Sequence, residues 1–235
     1  MCGRYVEVSS PSELAGIFHA TVASEVDDTW RPSWNIAPTR SVLGVVVEHK
    51  TAERVIHEFR WGLVPSWAKD LTVGTKTFNA RAETVATKPS FRAAFRSKRL
   101  LVPADAFYEW SHIPGEHKQP YAFRRADGRP LAFAGLYEFW RDKAAGEEAP
   151  WLTSCTIITT DAGRDMSPIH DRQPVILEPD TWDLWLDPEI ADRDELEALL
   201  VPSAAGTLVK HTVGRQVGRS TIDGPELIAE VIHLS

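Results

Sequence analysis

Cysteine is nearly absent: Cys2 and Cys155 are the only two among 235 residues, which excludes a disulfide framework and leaves no thiolate spacing for zinc. No stretch approaches the ~18–20 consecutive apolar residues of a membrane span. The start lacks a basic segment followed by an apolar one, so a secretory leader is not expected. A glycine-rich nucleotide fingerprint, a Walker loop and HExxH are all missing. His112 and His117 flank a Gly/Pro loop without carboxylate or thiolate partners at ligand spacing and read as solvated loop residues. Positive charge is in deficit, the net charge being −7, which argues against a protein that coats nucleic acid nonspecifically. A local basic groove stays open, since the acids cluster in Glu25–Asp28, Glu147–Glu148 and Asp187–Glu197 and leave Arg81–Arg99 with a positive excess. A reduced, cytoplasmic protein without metal or cofactor is the expectation.

What the chain does hold is strand signal. Arg4–Val8 reads as a short strand, and Ser10-Pro11-Ser12-Glu13 as an N-cap, a proline at the first helical position and a capping-box glutamate. Ser41–Glu48 and Arg54–Trp61 predict paired strands around His49–Thr51, and Trp30–Pro38 a loop. Short helices are expected across Ala80–Thr87 and Pro89–Arg96. Strands follow at Leu100–Val102, Ala106–Trp110, Tyr121–Arg125 and Leu131–Trp140, with Asp127-Gly128 marking a hairpin between the last two. Trp151–Thr160 is apolar and β-branched, with Cys155 as a buried strand residue. Pro174–Leu177 is a further short strand, and Asp180–Leu186 and Asp192–Leu200 are helical. Leu208–Val213 reads as a last core strand, and Ile228–Leu234 is apolar enough to dock. No linker or repeat divides the chain. These elements predict one α+β domain over residues 1–235, with a mainly antiparallel, barrel-like sheet and peripheral helices.

Chemistry concentrates at the start, in Met1-Cys2-Gly3-Arg4. Once Met1 is removed, the α-amine and thiol of Cys2 sit on adjacent carbons. Such a 1,2-aminothiol condenses with an aldehyde: the amine forms an imine and the thiol closes on it as a thiazolidine. An α-amine titrates near ~7.7–8.0 against ~10.4 for lysine, so far more of it is nucleophilic at neutral pH. Gly3 lets the backbone turn tightly, and Arg4 is placed to hold a phosphate. Taken alone, a cysteine at position 2 reads equally as an incidental residue of a frayed end.

Further segments carry polar groups in specific settings. Asn79-Ala80-Arg81-Ala82-Glu83-Thr84 puts an amide and a guanidinium two apart; Asn79 either caps the following helix or serves a site. In Ala106–Trp110, Glu109 shares a strand face with Phe107, so it is either outward and solvated or inward as a proton carrier. His170, between Pro168 and Pro174, suits proton transfer or is an ordinary loop histidine. Arg60–Trp67 is an aromatic loop read as core by default.

Together and in this order, Met1–Arg4, Asn35-Ile36-Ala37-Pro38, Trp61–Trp67, Asn79–Thr84, Tyr108-Glu109-Trp110 and His170-Asp171-Arg172-Gln173-Pro174 resemble the SOS-response-associated peptidase (SRAP) family of abasic-site-processing proteins, from Cys2 to about Gly218. The resemblance implies a monomer that senses and shields abasic sites in single-stranded DNA. Cys2 would form the crosslink, Asn79 would hold the cysteine or the sugar oxygen, and Glu109 and His170 would move protons. Arg4, Arg81 and Arg172 would grip phosphates, and Pro38, Trp67, Trp110 and Thr159 would contact the strand. The family is credited with lyase cleavage, crosslink reversal and removal of its own initiator methionine. Two positions depart from its pattern, Gln173 where methionine is frequent and Arg219 where asparagine is usual. A peptidase using Cys2 and His170, and a non-covalent single-strand binder, are the competing expectations.

Overall fold

The computed structural model describes residues 2–111, 118–146 and 148–231. Met1, His112, His117, Glu147 and Leu234 lie outside them. Among the described residues thirteen strands run in chain order: β1 (Tyr5–Glu7), β2 (Thr21–Val22), β3 (Ser33–Ile36), β4 (Ser41–Val47), β5 (Arg54–Trp61), β6 (Asn79–Arg81), β7 (Arg99–Ala104), β8 (Ala106–Trp110), β9 (Pro120–Arg125), β10 (Leu131–Trp140), β11 (Leu152–Asp161), β12 (Arg172–Pro174) and β13 (Leu208–Thr212). Six short α-helices decorate them among the described residues: α1 (Pro11–Phe18), α2 (Ser24–Thr29), α3 (Ala82–Val85), α4 (Arg92–Ser97), α5 (Trp182–Leu186) and α6 (Arg193–Ala198). None of the described helices is long and apolar enough to cross a membrane.

Strands β11, β10, β7, β4 and β5 pair in turn, and β5 returns to β11 through Ser154↔Arg60 and Cys155↔Trp61. This closes a five-stranded barrel whose seam is parallel and whose other pairings are antiparallel. Closure leaves few free edges to manage. β6 joins β11 in parallel and β12 joins it antiparallel; since Thr159 is opposite both Arg81 and Pro174, the two strands flank β11 on opposite edges. A second, antiparallel sheet runs β13-β9-β8-β1-β3.

Side-chain alternation sorts the core into two main clusters. One faces the barrel interior, with Val42, Phe59, Trp61, Val102, Phe133 and Ile157, and the second sheet adds Cys2, Tyr5, Phe107 and Phe123 to it. Edge-on rings fasten the two sheets there, Tyr5 against Trp61 at 5.3 Å and Phe107 against Phe133 at 5.8 Å. The other cluster lies outside the barrel, where α1, α4, α5 and α6 bury Leu14, Phe95, Trp185 and Leu196 against it. Capping matches the sequence at α1: Ser10 and Glu13 satisfy each other's backbone N–H groups.

The sequence reading needs correction at several places, among them β12, which ends at Pro174 where the expected strand begins, and β6, which takes the start of the expected helix at Ala80. The stretch 30–38 is not all loop, because β3 forms within it and pairs with β1; its prolines bracket only four strand residues. Asp127-Gly128 does make a turn, with Gly128 at φ 79°, but β9 and β10 belong to different sheets and form no hairpin. Asp127 spends its carboxylate on Arg125 and Arg129, which fixes the chain as it leaves one sheet for the other. α2 and the two-residue β2 were not expected, being too short to show a period.

Close packing leaves Gly135, inside the barrel wall, without room for a side chain. A Cβ on Gly135 would sit 2.7 Å from the carbonyl oxygen of Thr156 and 3.0 Å from Leu100. Gly135→Ala therefore pushes β10 off β11, and a loss of about 1–3 kcal/mol is expected in denaturant unfolding. An unchanged midpoint would show that the barrel wall yields freely.

Candidate functional site

The N-terminal segment enters the molecule rather than fraying. β1 pairs with β8 through Tyr5↔Phe107 and Val6↔Ala106, and Tyr108 N–H donates to Arg4 O at 2.9 Å. Continuing that register lays Gly3 opposite Glu109. Cys2 is fully buried, packed in the barrel-facing cluster with Tyr5, Ile36, Val42 and Trp61.

Asn79 does not cap α3, whose N-cap is Arg81 without a side-chain bond. Its Nδ2 instead donates to Cys2 O at 2.7 Å. Its Oδ1 is buried and accepts no hydrogen bond among the described residues, leaving an acceptor beside Cys2. A buried acceptor without a partner is costly, so such groups point to a ligand or a strained site.

Glu109 is inward, its side chain only 4% exposed. It stands close enough to Cys2 to act on the thiol. Burial pushes that thiol well above its ordinary range, and the neighbouring Glu109 carboxylate pushes it further. The sulfur is thus kept as a neutral thiol in the free protein.

His170 reaches the same place from the loop between β11 and β12. Its Nε2 lies 4.0 Å from Glu109 Oε2. At Nδ1 two contacts compete: Arg172 N–H donates at 2.9 Å, and Asp171 Oδ1 also lies at 2.9 Å. They are exclusive, because Nδ1 offers either a lone pair or a proton. Asp171 is almost wholly exposed and keeps its water, so the backbone donor decides. The neutral ring then carries its proton on Nε2, towards Glu109.

Four elements distant in sequence therefore converge: the chain start, β6, β8 and the loop before β12. Gln173 anchors that loop, receiving Gly163 N–H at 2.7 Å and donating to Ser203 at 3.1 Å. The departure at this position thus brings polar anchoring and leaves His170 in place. The departure at Arg219 is also absorbed by backbone: Asn35 Nδ2 donates to the carbonyls of Arg219 and Ile222. A cleft of about 410 Å³ lined by Glu7, Arg31, Arg40 and Glu58 contains none of the four converging residues. Ile36 and Val42 line it and belong to the same buried cluster as Cys2.

The expected strand contacts divide. Arg81 is exposed and its guanidinium makes no hydrogen bond among the described residues, and Trp67 is 60% exposed. Pro38 and Trp110 are half-buried. Arg4 is half-buried; its Nη1 donates to Asn35 Oδ1 at 3.2 Å and Val217 O at 3.3 Å, and its Nη2, on the exposed side, to Gly218 O at 3.5 Å. Thr159 has no exposed surface, and its hydroxyl donates to Ala80 O at 3.3 Å; a β-branched residue in a central strand between two partners has no face left for a ligand. Arg172 is 9% exposed, and its Nη atoms are committed to Glu83, Asp161 and Thr159 O. Its reach is inward. Glu83, in the first turn of α3, is what draws it there, and only the fold brings the two together. No group of three or more His, Cys, Asp or Glu able to hold a metal occurs among the described residues.

A family model described as SOS response associated peptidase (SRAP) matches residues 1–220 of this chain. The sequence is 38% identical over 97% of its length to the abasic site processing protein YoqW of Bacillus subtilis, of which it covers 99%. It is 34% identical to the abasic site processing protein HMCES of Xenopus tropicalis, over 87% of this chain and 68% of that one. Among solved structures, a protein from Bacteroides thetaiotaomicron superposes with a TM-score of 0.86 at 25% identity, covering 98% of this chain and all of that one.

Proposed function

The chain belongs to the SOS response associated peptidase (SRAP) family, and from that membership we propose that it captures abasic sites in single-stranded DNA covalently through Cys2. The observation that carries the proposal is the buried meeting of Cys2 with Asn79, Glu109 and His170. An abasic sugar in its ring-opened form exposes an aldehyde at C1′, the electrophile an aminothiol takes. After loss of Met1, the Cys2 amine adds to that carbon to give a carbinolamine, which loses water to become an imine. The thiol then adds across the C=N bond, its proton passing to the nitrogen, and a thiazolidine closes with one water released overall.

Burial sets the order of these steps. The raised thiol is a poor nucleophile until a protonated imine forms beside it; that positive charge favours the thiolate and switches it on. Glu109, beside Cys2, takes the thiol proton, and His170 turns its Nε2–H towards Glu109 and steadies the carboxylate for that step. Asn79 holds the Cys2 carbonyl and offers Oδ1 to the amine or a sugar hydroxyl. Arg81 and the exposed side of Arg4 serve the flanking phosphates, and Trp67 and Trp110 offer faces to unstacked bases at ~1–3 kcal/mol each. A few placed cations suffice for a covalent trap, which reconciles an acidic chain with a DNA partner. Lyase cleavage through the imine and reversal of the crosslink use the same groups. A thiolate peptidase is less well served, because its nucleophile needs a lowered thiol and this one is raised.

Intact-mass spectrometry of the purified protein with a single-stranded abasic oligonucleotide tests the proposal. The processed chain is expected to gain the oligonucleotide mass less one water, and a chain still bearing Met1 to gain nothing. A processed chain that stays unmodified would refute it.

A further inference from the structure

We infer that Glu83 is a positioning residue for the capture reaction, locking the Asn79 arm and the His170 arm of the site together through Arg172; the inference rests on the function proposed above. Glu83 and Arg172 are 89 residues apart in sequence and meet as a two-pronged pair, Nη1–Oε1 at 2.6 Å and Nη2–Oε2 at 3.0 Å. Such fork-to-fork pairing fixes orientation as well as charge. Nη2 also donates to Thr159 O at 2.7 Å, and Nη1 to Asp161 at 2.7 Å. Thr159 is the residue with β6 on one edge and β12 on the other. Arg172 therefore spans β11, and Glu83 receives it on the far side.

Each end of this staple is tied to a residue of the site. Glu83 stands in the first turn of α3, four positions after Asn79, which holds Cys2 O. The backbone N–H of Arg172 is the donor that occupies His170 Nδ1 and so keeps the ring proton on Nε2. Freeing the Arg172 side chain lets its backbone shift, and the tautomer preference of His170 weakens with it. Asp161 cannot take over this role, being 81% exposed and on β11 itself rather than on the Asn79 arm. Glu83 is about half exposed and Arg172 nearly buried, so the pair sits where replacing the acid disturbs geometry without emptying the core.

Glu83→Gln keeps the size of the side chain and removes its charge. With a single-stranded abasic oligonucleotide, adduct formation is expected to slow roughly tenfold and its pH profile to shift, since small misplacements of reacting groups carry large rate penalties. Non-covalent affinity for an oligonucleotide with a tetrahydrofuran abasic analogue should stay within about twofold, and Glu83→Asp should recover part of the rate. Nitrogen-15 NMR of His170 in the DNA-free protein should show the Nε2–H tautomer in the wild type and a mixed population in Glu83→Gln. Unaltered tautomer and pH profile in the variant would overturn the inference. So would tighter binding with faster capture, which would make Glu83 a mask over Arg172. If the wild type forms no adduct, the proposed function fails, and the tautomer measurement still decides whether Glu83 positions His170.

Discussion

Cys2→Ala is expected to abolish the heat-stable adduct with abasic single-stranded DNA while leaving a borohydride-trappable one. Alanine is small enough for Met1 still to be removed, so the variant keeps a free α-amine near ~7.7–8.0. That amine can form the imine, and hydride reduction of its C=N bond to a secondary amine captures it. What is lost is ring closure: without sulfur the imine reopens in water, and no denaturation-resistant product accumulates. The structure sharpens the expectation, because Cys2 is fully buried and its carbonyl, not its side chain, is held by Asn79. The backbone anchor survives the substitution. Removal of one buried sulfur costs the fold about 1–2 kcal/mol, too little to unfold a domain of ordinary stability. Two gels, one with heat alone and one after borohydride, read the result. A heat-stable adduct from Cys2→Ala would mean that another group is the nucleophile, and loss of both products would mean that the amine is not.

How far the sequence foretold this arrangement depended on the range of the interactions. Local signals served well: the capping box of α1 formed as expected, and Arg54–Trp61, Ala106–Trp110 and Leu131–Trp140 match β5, β8 and β10 to the residue. The barrel-like sheet was legible as many short strands, but its parallel seam between β5 and β11 was not, since no local pattern marks a pairing some ninety residues apart. Within the site, residue types suggested Asn79, Glu109 and His170, and their convergence on Cys2 is what the fold adds. Glu109 left two readings open because Phe107, Tyr108 and Glu109 are all buried: β8 has no solvent face, and alternation says nothing there. Arg172 and Thr159, which the family resemblance offers as strand contacts, are engaged in ways no local pattern shows. Only the tertiary partners Glu83, Asp161 and Ala80 reveal that both side chains bond inward.

Raising the pH should weaken this protein through Glu7, and Glu7→Gln should remove that weakness. Glu7 ends β1, five residues from Cys2, and is 3% exposed. Its Oε2 accepts from Leu43 N–H at 3.0 Å and from Tyr5 Oη at 3.4 Å, yet burial outweighs them and pushes the carboxyl from an ordinary 4.5 up to about 8. Between those values the folded chain holds a proton that the unfolded chain has released. Folding is therefore favoured by acid, and each pH unit gained in that window removes about 1.4 kcal/mol, roughly 5 kcal/mol in all as an upper bound. Below the window both states are protonated and above it both are ionised, so the loss is confined to it. The acid side behaves oppositely at Glu83 and Asp127, which arginines hold below the usual carboxylate range and whose support fades as they protonate. Glutamine imitates the protonated acid and can still receive Leu43 N–H. Urea unfolding at pH 5 and pH 9 should find the two proteins similar in acid and the variant more stable in alkali, by up to that margin. Because Tyr5 links Glu7 to Trp61, and both rings belong to the buried cluster that holds Cys2, the variant should also sustain adduct formation further into alkali. Parallel pH curves for wild type and Glu7→Gln would show that the folded protein keeps water at Glu7 and that the strand behind Cys2 does not feel its charge.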